Sequence, residues 1–184
     1  QGFTAENNSP VWDMAITAYT DGSGEYSNIN GYLREGEMYF DGFPNAGTAM
    51  TVTEGNIANL DNLIAAAPPL EQDLVSFRGI SGEDAVYEFS NLEAGDQFTD
   101  AGFVSTSLDP QIAENFTQGD GITLQIISPA GTQGLMPLAY QTPVNASTPD
   151  REKEWLLPRG VTFDVLAVSD NLITVRVNNE VPRG

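Results

Sequence analysis

Apolar residues follow helical spacing in the first part of the chain and alternate with polar residues in the later part. In residues 12–33 they recur every three or four positions, which predicts a helical face, and a Gly-Ser-Gly turn at 22–24 divides it into two helices. Residues 57–67 predict a third helix, ended by the Pro-Pro pair at 68–69 because proline lacks an amide hydrogen. The stretch 41–53 is expected to be irregular.

Six later segments predict strands, because they combine β-branched or aromatic residues with alternating polarity: 73–80, 97–108, 122–127, 155–157, 161–168 and 172–177. A helical turn is expected at 113–116. Since helices come first and strands follow, the predicted fold class is α+β with a mostly antiparallel sheet system. We expect residues 1–184 to form a single domain, with 181–184 set aside as a candidate remnant of a cleavable tag.

The composition limits the chemistry that a site could use. The chain has no cysteine and no histidine, which excludes disulfides, thiol nucleophiles, thiolate zinc sites and mechanisms that need imidazole. A catalytic site would therefore depend on carboxylates, hydroxyls, arginine and backbone groups.

The charge narrows the choice of partners. The formal net charge is −19, from 26 acidic and 7 basic residues, so nucleic acid and anionic membranes are disfavoured. No apolar run reaches the roughly 18 residues that a membrane-spanning helix needs. The charge serves solubility or attraction to a basic target surface. Because arginines are few, each one among small or apolar residues is expected to bind a specific anion.

The segment Glu152-Lys153-Glu154 is the first candidate for chemistry. At the start of a strand, residues two apart point to the same face, so Glu152 and Glu154 would project together. Two adjacent carboxylates repel each other, which favours a paired-carboxylate site. A solvated acidic edge that blunts aggregation is the alternative.

Two further segments add a cation and hydroxyl groups. Arg78 lies at the end of an apolar strand and precedes Gly79, where a planar guanidinium could hold a phosphate. In residues 105–107 the sequence is Ser-Thr-Ser, and Ser105 and Ser107 share a strand face with Phe103. The alternative for the arginine is a structural ion pair with an acidic residue. The alternative for the hydroxyl residues is that they are ordinary strand residues.

Taken in order, these residues resemble the arginine-specific mono-ADP-ribosyltransferases, and are similar to the enzymatic component of clostridial binary toxins that modify actin. That family is defined by an arginine, then Ser-Thr-Ser, then Glu-x-Glu, and this chain has Arg78, then 105–107, then Glu152 and Glu154. The resemblance covers residues 12–177. Flanking residues that fit the pattern are Tyr26, Asn30, Gly102, Phe103, Phe116, Leu156, Leu157 and Pro158.

The resemblance implies two small packed sheets with an NAD cleft between them, N-terminal helices, and a role for each motif residue. Arg78 would grip an NAD phosphate, and Tyr26 and Asn30 would line the phosphate and adenosine side. The Gly79 backbone would bind the nicotinamide amide, and Phe116 would stack on the nicotinamide ring.

The catalytic and target-facing roles follow from the same resemblance. Ser105 would brace Glu154, which would bind the nicotinamide ribose, and Glu152 would activate the incoming guanidinium. Thr106 and Ser107 are counted with the NAD-binding residues. The loop 141–151, including Pro149 and Arg151, would face the protein substrate, although it lacks the aromatic residue that relatives often place there.

The predicted activity is cleavage of NAD, consumed as a co-substrate without a metal, and transfer of ADP-ribose to a protein arginine, with NAD glycohydrolysis as a side activity. We expect a monomeric toxin or effector, secreted or delivered into a host cell; actin is suggested as target only by the family. An NAD glycohydrolase, a phage-borne transferase that modifies host proteins and a non-enzymatic β-rich binding domain remain open. Dehydrogenase and calcium-binding motifs are incomplete.

Overall fold

The computed structural model describes residues 25–117, 121–136 and 154–183, in which a helical region is followed by a sheet. Helix α1 spans Glu25–Glu35, a 3-10 helix spans Gly36–Phe40, and α2 spans Ala46–Ala66. The predicted end of α2 before the proline pair is confirmed. The irregular stretch predicted at 41–53 was wrong, because α2 already begins at Ala46. Gly47 and Gly55 lower the intrinsic helix propensity of α2. Burial of apolar side chains along α2 outweighs this effect.

The remaining elements follow in chain order: β1 Leu74–Ile80, α3 Glu83–Ser90, β2 Gln97–Asp100, β3 Val104–Ser107, α4 Pro110–Phe116, β4 Ile122–Ser128, β5 Glu154–Leu157, β6 Val161–Ser169 and β7 Leu172–Val177. Five of the six predicted strands and the helical turn before β4 are confirmed. Helix α3 was not predicted. Within the described residues, no helix is both long enough and apolar enough to cross a membrane.

The single strand predicted over residues 97–108 was wrong, since this segment forms two strands in different parts of the sheet. β2 pairs with β6, whereas β3 lies between β1 and β5. The chain turns between them because the Asp100 carboxylate accepts a hydrogen bond from the Gly102 backbone N–H at 2.9 Å. This turn carries the Ser-Thr-Ser segment away from β2 and toward β5.

The seven strands form one hydrogen-bonded sheet in the order β2-β6-β7-β4-β1-β3-β5. All neighbours are antiparallel except β4 and β7, so the α+β class and the mostly antiparallel pairing are confirmed. The two separate sheets implied by the resemblance are joined here. β1 and β3 share a single registered pair, Phe77 opposite Ser107. Few backbone hydrogen bonds therefore join β3 and β5 to the other five strands of the sheet.

Two apolar clusters cover the two faces of β3 and β5. One contains Val104, Trp155 and Leu157 together with residues of β4, β6 and β7. The other contains Phe103 and Leu156 together with residues of α1 and α2. Alternate residues of β3 and β5 are therefore fixed by packing on opposite sides, which determines the face on which each polar side chain lies.

Candidate active site

The arginine, the first serine and the second glutamate of the three motifs lie together across β1, β3 and β5. The Ser105 hydroxyl donates to Glu154 Oε1 at 2.6 Å. Arg78 Nη1 donates to the Ser105 carbonyl oxygen at 3.3 Å. All three residues are half-buried, so their polar groups are partly withdrawn from water. Three segments that are distant in sequence thus form one polar cluster, which we call the arginine–serine–glutamate cluster.

Strand register explains why Ser105 meets Glu154. Ser105 lies opposite Leu156 in the antiparallel pair of β3 and β5. Glu154 is two residues from Leu156, so both point to the same face. Leu156 and Phe103 belong to one apolar cluster, which confirms the predicted alternation that puts Phe103 and Ser105 on one face.

The other two hydroxyls of the motif make structural contacts. The Thr106 hydroxyl is buried and donates to the Trp155 carbonyl oxygen at 2.7 Å. The Ser107 hydroxyl accepts from the Asp109 backbone N–H at 3.0 Å, just before α4. Thr106 points away from Glu154, so its position favours a role in joining β3 to β5 over the predicted contact with NAD. Ser107 shares the face of Ser105, and its role in binding NAD stays a prediction.

Gly79 allows α4 to pack directly on β1. A Cβ atom at Gly79 would lie 2.2 Å from the Ala113 carbonyl oxygen and 2.8 Å from Phe116 Cβ, so no larger residue fits without a shift. This close approach places Phe116 beside Gly79, which directly follows Arg78 in β1. The Phe116 side chain is 64% exposed. An exposed ring beside a polar cluster is suited to stacking against a planar ligand.

The two predicted residues of α1 differ in their surroundings. Tyr26 is exposed, whereas Asn30 is buried and its Oδ1 accepts from the Phe103 backbone N–H at 2.9 Å. Asn30 therefore holds the backbone that leads into β3. Its predicted position on the phosphate and adenosine side stays a prediction.

Sequence reasoning missed Arg34 and Asp100. Arg34 Nη2 lies 3.0 Å from both carboxylate oxygens of Asp100, and Arg34 Nε lies 3.2 Å from Oδ1. The signal was present, because Tyr26, Asn30 and Arg34 recur every four residues and so follow one side of a helix. The anion that Arg34 binds here is a carboxylate of the same chain, so this contact is a structural ion pair.

Outside this cluster, Tyr32 of α1 has a raised pKa. The hydrogen bond that Tyr32 donates to Glu54 Oε1, 2.7 Å long, raises the pKa of Tyr32 above its ordinary value. Among the described residues, no group of three or more acidic, cysteine or histidine side chains is placed to hold a metal ion. Pro149, Arg151 and Glu152 lie outside the described residues, as does the rest of the loop before the glutamates.

A cavity of about 390 Å³ lies elsewhere, beside the C-terminal segment, and is lined among others by Pro69, Thr132, Asn178 and Arg183. The arginine–serine–glutamate cluster does not line it. We favour the cluster as the reactive site because it combines a carboxylate, a hydroxyl and a guanidinium, whereas the described lining of the cavity includes no carboxylate.

Comparison with known families agrees with this geometry. The family model described as ADP-ribosyltransferase exoenzyme matches residues 3–181. The chain belongs to this family. The predicted resemblance to ADP-ribosyltransferases is therefore confirmed, while the arginine-specific subclass stays a prediction.

Individual relatives support the family and its fold. Exoenzyme T of Pseudomonas aeruginosa is 36% identical over 110 residues, which cover 60% of this chain and 21% of that protein; the matched region is thus about a fifth of the relative's length. Exoenzyme S of the same species, solved in complex with human 14-3-3 protein beta and bound to carba-NAD, aligns with a TM-score of 0.66 and 24% identity over 96% of this chain and 80% of that one. The Vis toxin of Vibrio splendidus, solved in complex with agmatine, aligns with a TM-score of 0.69 and 18% identity over 97% of this chain and 79% of that one.

Proposed function

We propose that this chain is an NAD-dependent mono-ADP-ribosyltransferase that releases nicotinamide and transfers ADP-ribose to an arginine of a target protein. The observation that carries the proposal is the 2.6 Å hydrogen bond from Ser105 to Glu154 beside Arg78. Family membership and the carba-NAD bound to Exoenzyme S support NAD as the co-substrate. Residues 1–184 would form one catalytic domain of a toxin or effector that acts in another cell.

Glu154 would act on the bond between nicotinamide and ribose. When this bond breaks, nicotinamide leaves with the electron pair and the ribose becomes an oxocarbenium-like cation. A carboxylate held nearby stabilises that developing positive charge. The Ser105 hydroxyl keeps the carboxylate oriented before the reaction, so little reorganisation is needed as charge develops.

The surrounding residues would hold NAD in place. Arg78, at the end of β1, has the planar donor group that binds phosphate oxygens by paired hydrogen bonds. The backbone of Gly79, which packs against α4, would bind the nicotinamide amide, and the exposed Phe116 ring offers a face for the nicotinamide. Bound in this way, NAD would present its nicotinamide ribose to the Glu154 carboxylate.

Transfer to arginine requires a second carboxylate. A guanidinium is normally protonated and a poor nucleophile, so a base must accept a proton as the new bond to the ribose carbon forms. Glu152 is two residues before Glu154, and strand alternation would put both on the same side. The agmatine in the Vis complex, a small guanidino compound, supports a guanidinium acceptor.

The test is a nicotinamide-release assay of the purified protein with and without agmatine. We expect wild type to release nicotinamide and to label agmatine, Glu154→Gln to lose both activities, and Glu152→Gln to lose labelling while it keeps hydrolysis. Glu71→Gln, at an exposed position outside the cluster, is the matched control and should behave as wild type.

Two results would contradict the proposal in different ways. Nicotinamide release without any labelled agmatine would favour an NAD glycohydrolase. An absence of both NAD cleavage and NAD binding would favour a non-enzymatic binding domain.

A further inference from the structure

The Trp155 side chain links β5 to β4, a strand that is not its neighbour in the sheet. Trp155 is 3% exposed and belongs to the apolar cluster that contains residues of β4, β6 and β7. Its indole N–H donates to the hydroxyl oxygen of Ser128, at the end of β4, at 3.3 Å. Because β1 and β3 lie between β4 and β5 in the strand order, the indole reaches past two intervening strands.

This contact requires the sheet to fold over. In a flat sheet, three strand spacings would separate β4 and β5 by about 14 Å, which is farther than an indole, a hydrogen bond and a serine side chain can span. The single registered pair between β1 and β3 allows the bend that brings β5 over the end of β4. The indole fills the space between them, so its size and position determine how closely the two strands approach.

Two further contacts fix Trp155 in this place. The Thr106 hydroxyl donates to the Trp155 carbonyl oxygen at 2.7 Å, so the residue is held to β3 as well as to β4. A Cβ atom at Gly134 would lie 2.4 Å from Trp155 Cζ2 and 2.6 Å from Trp155 Cη2, so only glycine fits there without a shift. The edge of the indole therefore packs directly against backbone.

Two serines on one face of the sheet provide a matched comparison. Ser76 of β1 and Ser128 of β4 are both 0% exposed. Ser76 lies opposite Ile126, which is two residues before Ser128, so both serine side chains point to the same face. The Ser128 hydroxyl accepts from the indole N–H, whereas the Ser76 hydroxyl has no hydrogen-bond partner within the described part of the chain. The pair thus separates the indole contact from the effect of a buried hydroxyl as such.

We propose that Trp155 is a positioning residue, which holds β5 against β4 so that Glu154 lies where NAD cleavage requires it relative to Arg78. This inference rests on the proposed function, because it assigns Trp155 an effect on NAD cleavage. Arg78 belongs to β1, which pairs with β4 over seven residues, whereas Glu154 belongs to β5. A shift of β5 against β4 would therefore change the separation of the guanidinium from the carboxylate. Trp155 follows Glu154 directly and points to the opposite face, so it does not touch the reacting atoms.

The experiment measures kcat and KM for nicotinamide release, together with the melting temperature, in wild type, Trp155→Phe and the control Val175→Ala. Val175 of β7 is fully buried in the same apolar cluster. Both variants should lower the melting temperature, because each leaves a cavity. At a temperature where all three proteins are folded, only Trp155→Phe should lower kcat, by about tenfold, since small misplacement of reacting groups is costly. KM for NAD should stay within about twofold of wild type, because Arg78 still binds the phosphate.

The two serines test the hydrogen bond by itself. Ser128→Ala should lower kcat about threefold, because the indole loses its acceptor and can shift. Ser76→Ala should leave kcat unchanged and should not lower the melting temperature, since it removes a buried hydroxyl that has no partner in the described residues.

Tryptophan fluorescence reports on the contact independently of activity. The chain has two tryptophans, so in a Trp12→Phe background the emission comes from Trp155 alone. A hydrogen bond donated by the indole N–H stabilises the excited state. Emission should therefore move to shorter wavelength in Ser128→Ala and stay unchanged in Ser76→Ala.

Four results would overturn the inference. Unchanged kcat in Trp155→Phe and Ser128→Ala, with wild type active, would refute the positioning role alone. An equal loss of kcat in Val175→Ala would mean that any loosening of the core slows the reaction. A raised KM with unchanged kcat would mean that Trp155 acts on NAD binding and not on the orientation of Glu154. An inactive wild type would refute the proposed function as well, whatever the fluorescence shows.

Discussion

Two parts of the sheet differ in how the strands are paired. In the packed half, formed by β4, β6 and β7, neighbouring strands share five or six registered pairs, and inward residues such as Ile126 and Val175 are fully buried. In the site half, formed by β3 and β5, the strands share four pairs and carry Ser105 and Glu154. Strand β1 lies at the boundary, with seven pairs to β4 and one to β3.

The difference shows how one sheet can serve both stability and chemistry. Long strand pairing and apolar burial in the packed half stabilise the fold. The site half is held partly by side-chain contacts from the helices, which leaves polar groups half-buried and open to a ligand. Substitutions in the packed half should therefore change stability, and substitutions in the site half should change activity.

The largest expected effect is on stability in the packed half. Ile126→Ala removes a fully buried side chain of β4 and should lower the free energy of unfolding by about 3 kcal/mol, because a cavity is left in the core. The kcat of the remaining folded protein should equal that of wild type. Urea unfolding and a nicotinamide-release assay would measure the two quantities. A loss of kcat comparable to the loss of stability would show that the halves are not separate.

The boundary strand should show both effects. Gly79→Ala would force α4 away from β1, since the added methyl group would overlap the Ala113 carbonyl oxygen. We expect a loss of about 2 kcal/mol from overpacking and a raised KM for NAD as Phe116 moves. The control is Gly47→Ala in α2, where the added Cβ meets no atom within 4 Å, and it should be neutral or stabilising. Thermal unfolding with NAD-dependent kinetics would test both, and unchanged values for Gly79→Ala would contradict the packing argument.

In the site half, Ser105→Ala should reduce kcat about tenfold, which is the rate equivalent of losing one charge-assisted hydrogen bond. The melting temperature should change little, because the serine is half-buried. Ser169→Ala at the end of β6 removes a hydroxyl that binds a backbone carbonyl and should leave kcat unchanged. Equal kcat in the two variants would show that the bond from Ser105 to Glu154 has no part in catalysis.

The smallest effect concerns the helices, outside both halves. The bond to Glu54 raises the pKa of Tyr32, so the folded state holds the phenolic proton more tightly than the unfolded state. The resulting stability is present below the ordinary tyrosine pKa of about 10 and is lost as the pH rises through the raised value. Tyr32→Phe should therefore reduce the fall in melting temperature between about pH 8 and about pH 11. An identical fall in wild type and variant would contradict this assignment.

Local patterns in the sequence predicted what depends on local geometry. Alternation predicted β4, β6 and β7, and spacing predicted α1 and the later part of α2. The start of α2 was missed because Gly47 and Gly55 disfavour a helix locally, and only packing against the rest of the fold compensates. The turn at Gly102 was missed for a similar reason, since Asn30 of α1, which is distant in sequence, helps Asp100 to hold it.

The candidate site divides in the same way. The order of Arg78, Ser105 and Glu154 predicted that these residues act together, and the structure brings them into contact. The hydrogen bond from the buried Thr106 hydroxyl to the Trp155 carbonyl oxygen could not be predicted from the sequence, because it depends on which strand lies beside β3. The ion pair of Arg34 with Asp100 could not be predicted from the sequence either, because any of the 26 acidic residues could have been the partner of Arg34.

The central claim is that Arg78, Ser105 and Glu154 form an NAD-cleaving site, and a crystal structure with a non-hydrolysable NAD analogue tests it most directly. The account predicts the nicotinamide ribose within about 3 Å of a Glu154 oxygen, a phosphate against Arg78 and the nicotinamide ring on Phe116. An analogue bound instead in the cavity beside Thr132 and Asn178, with Glu154 untouched, would contradict it.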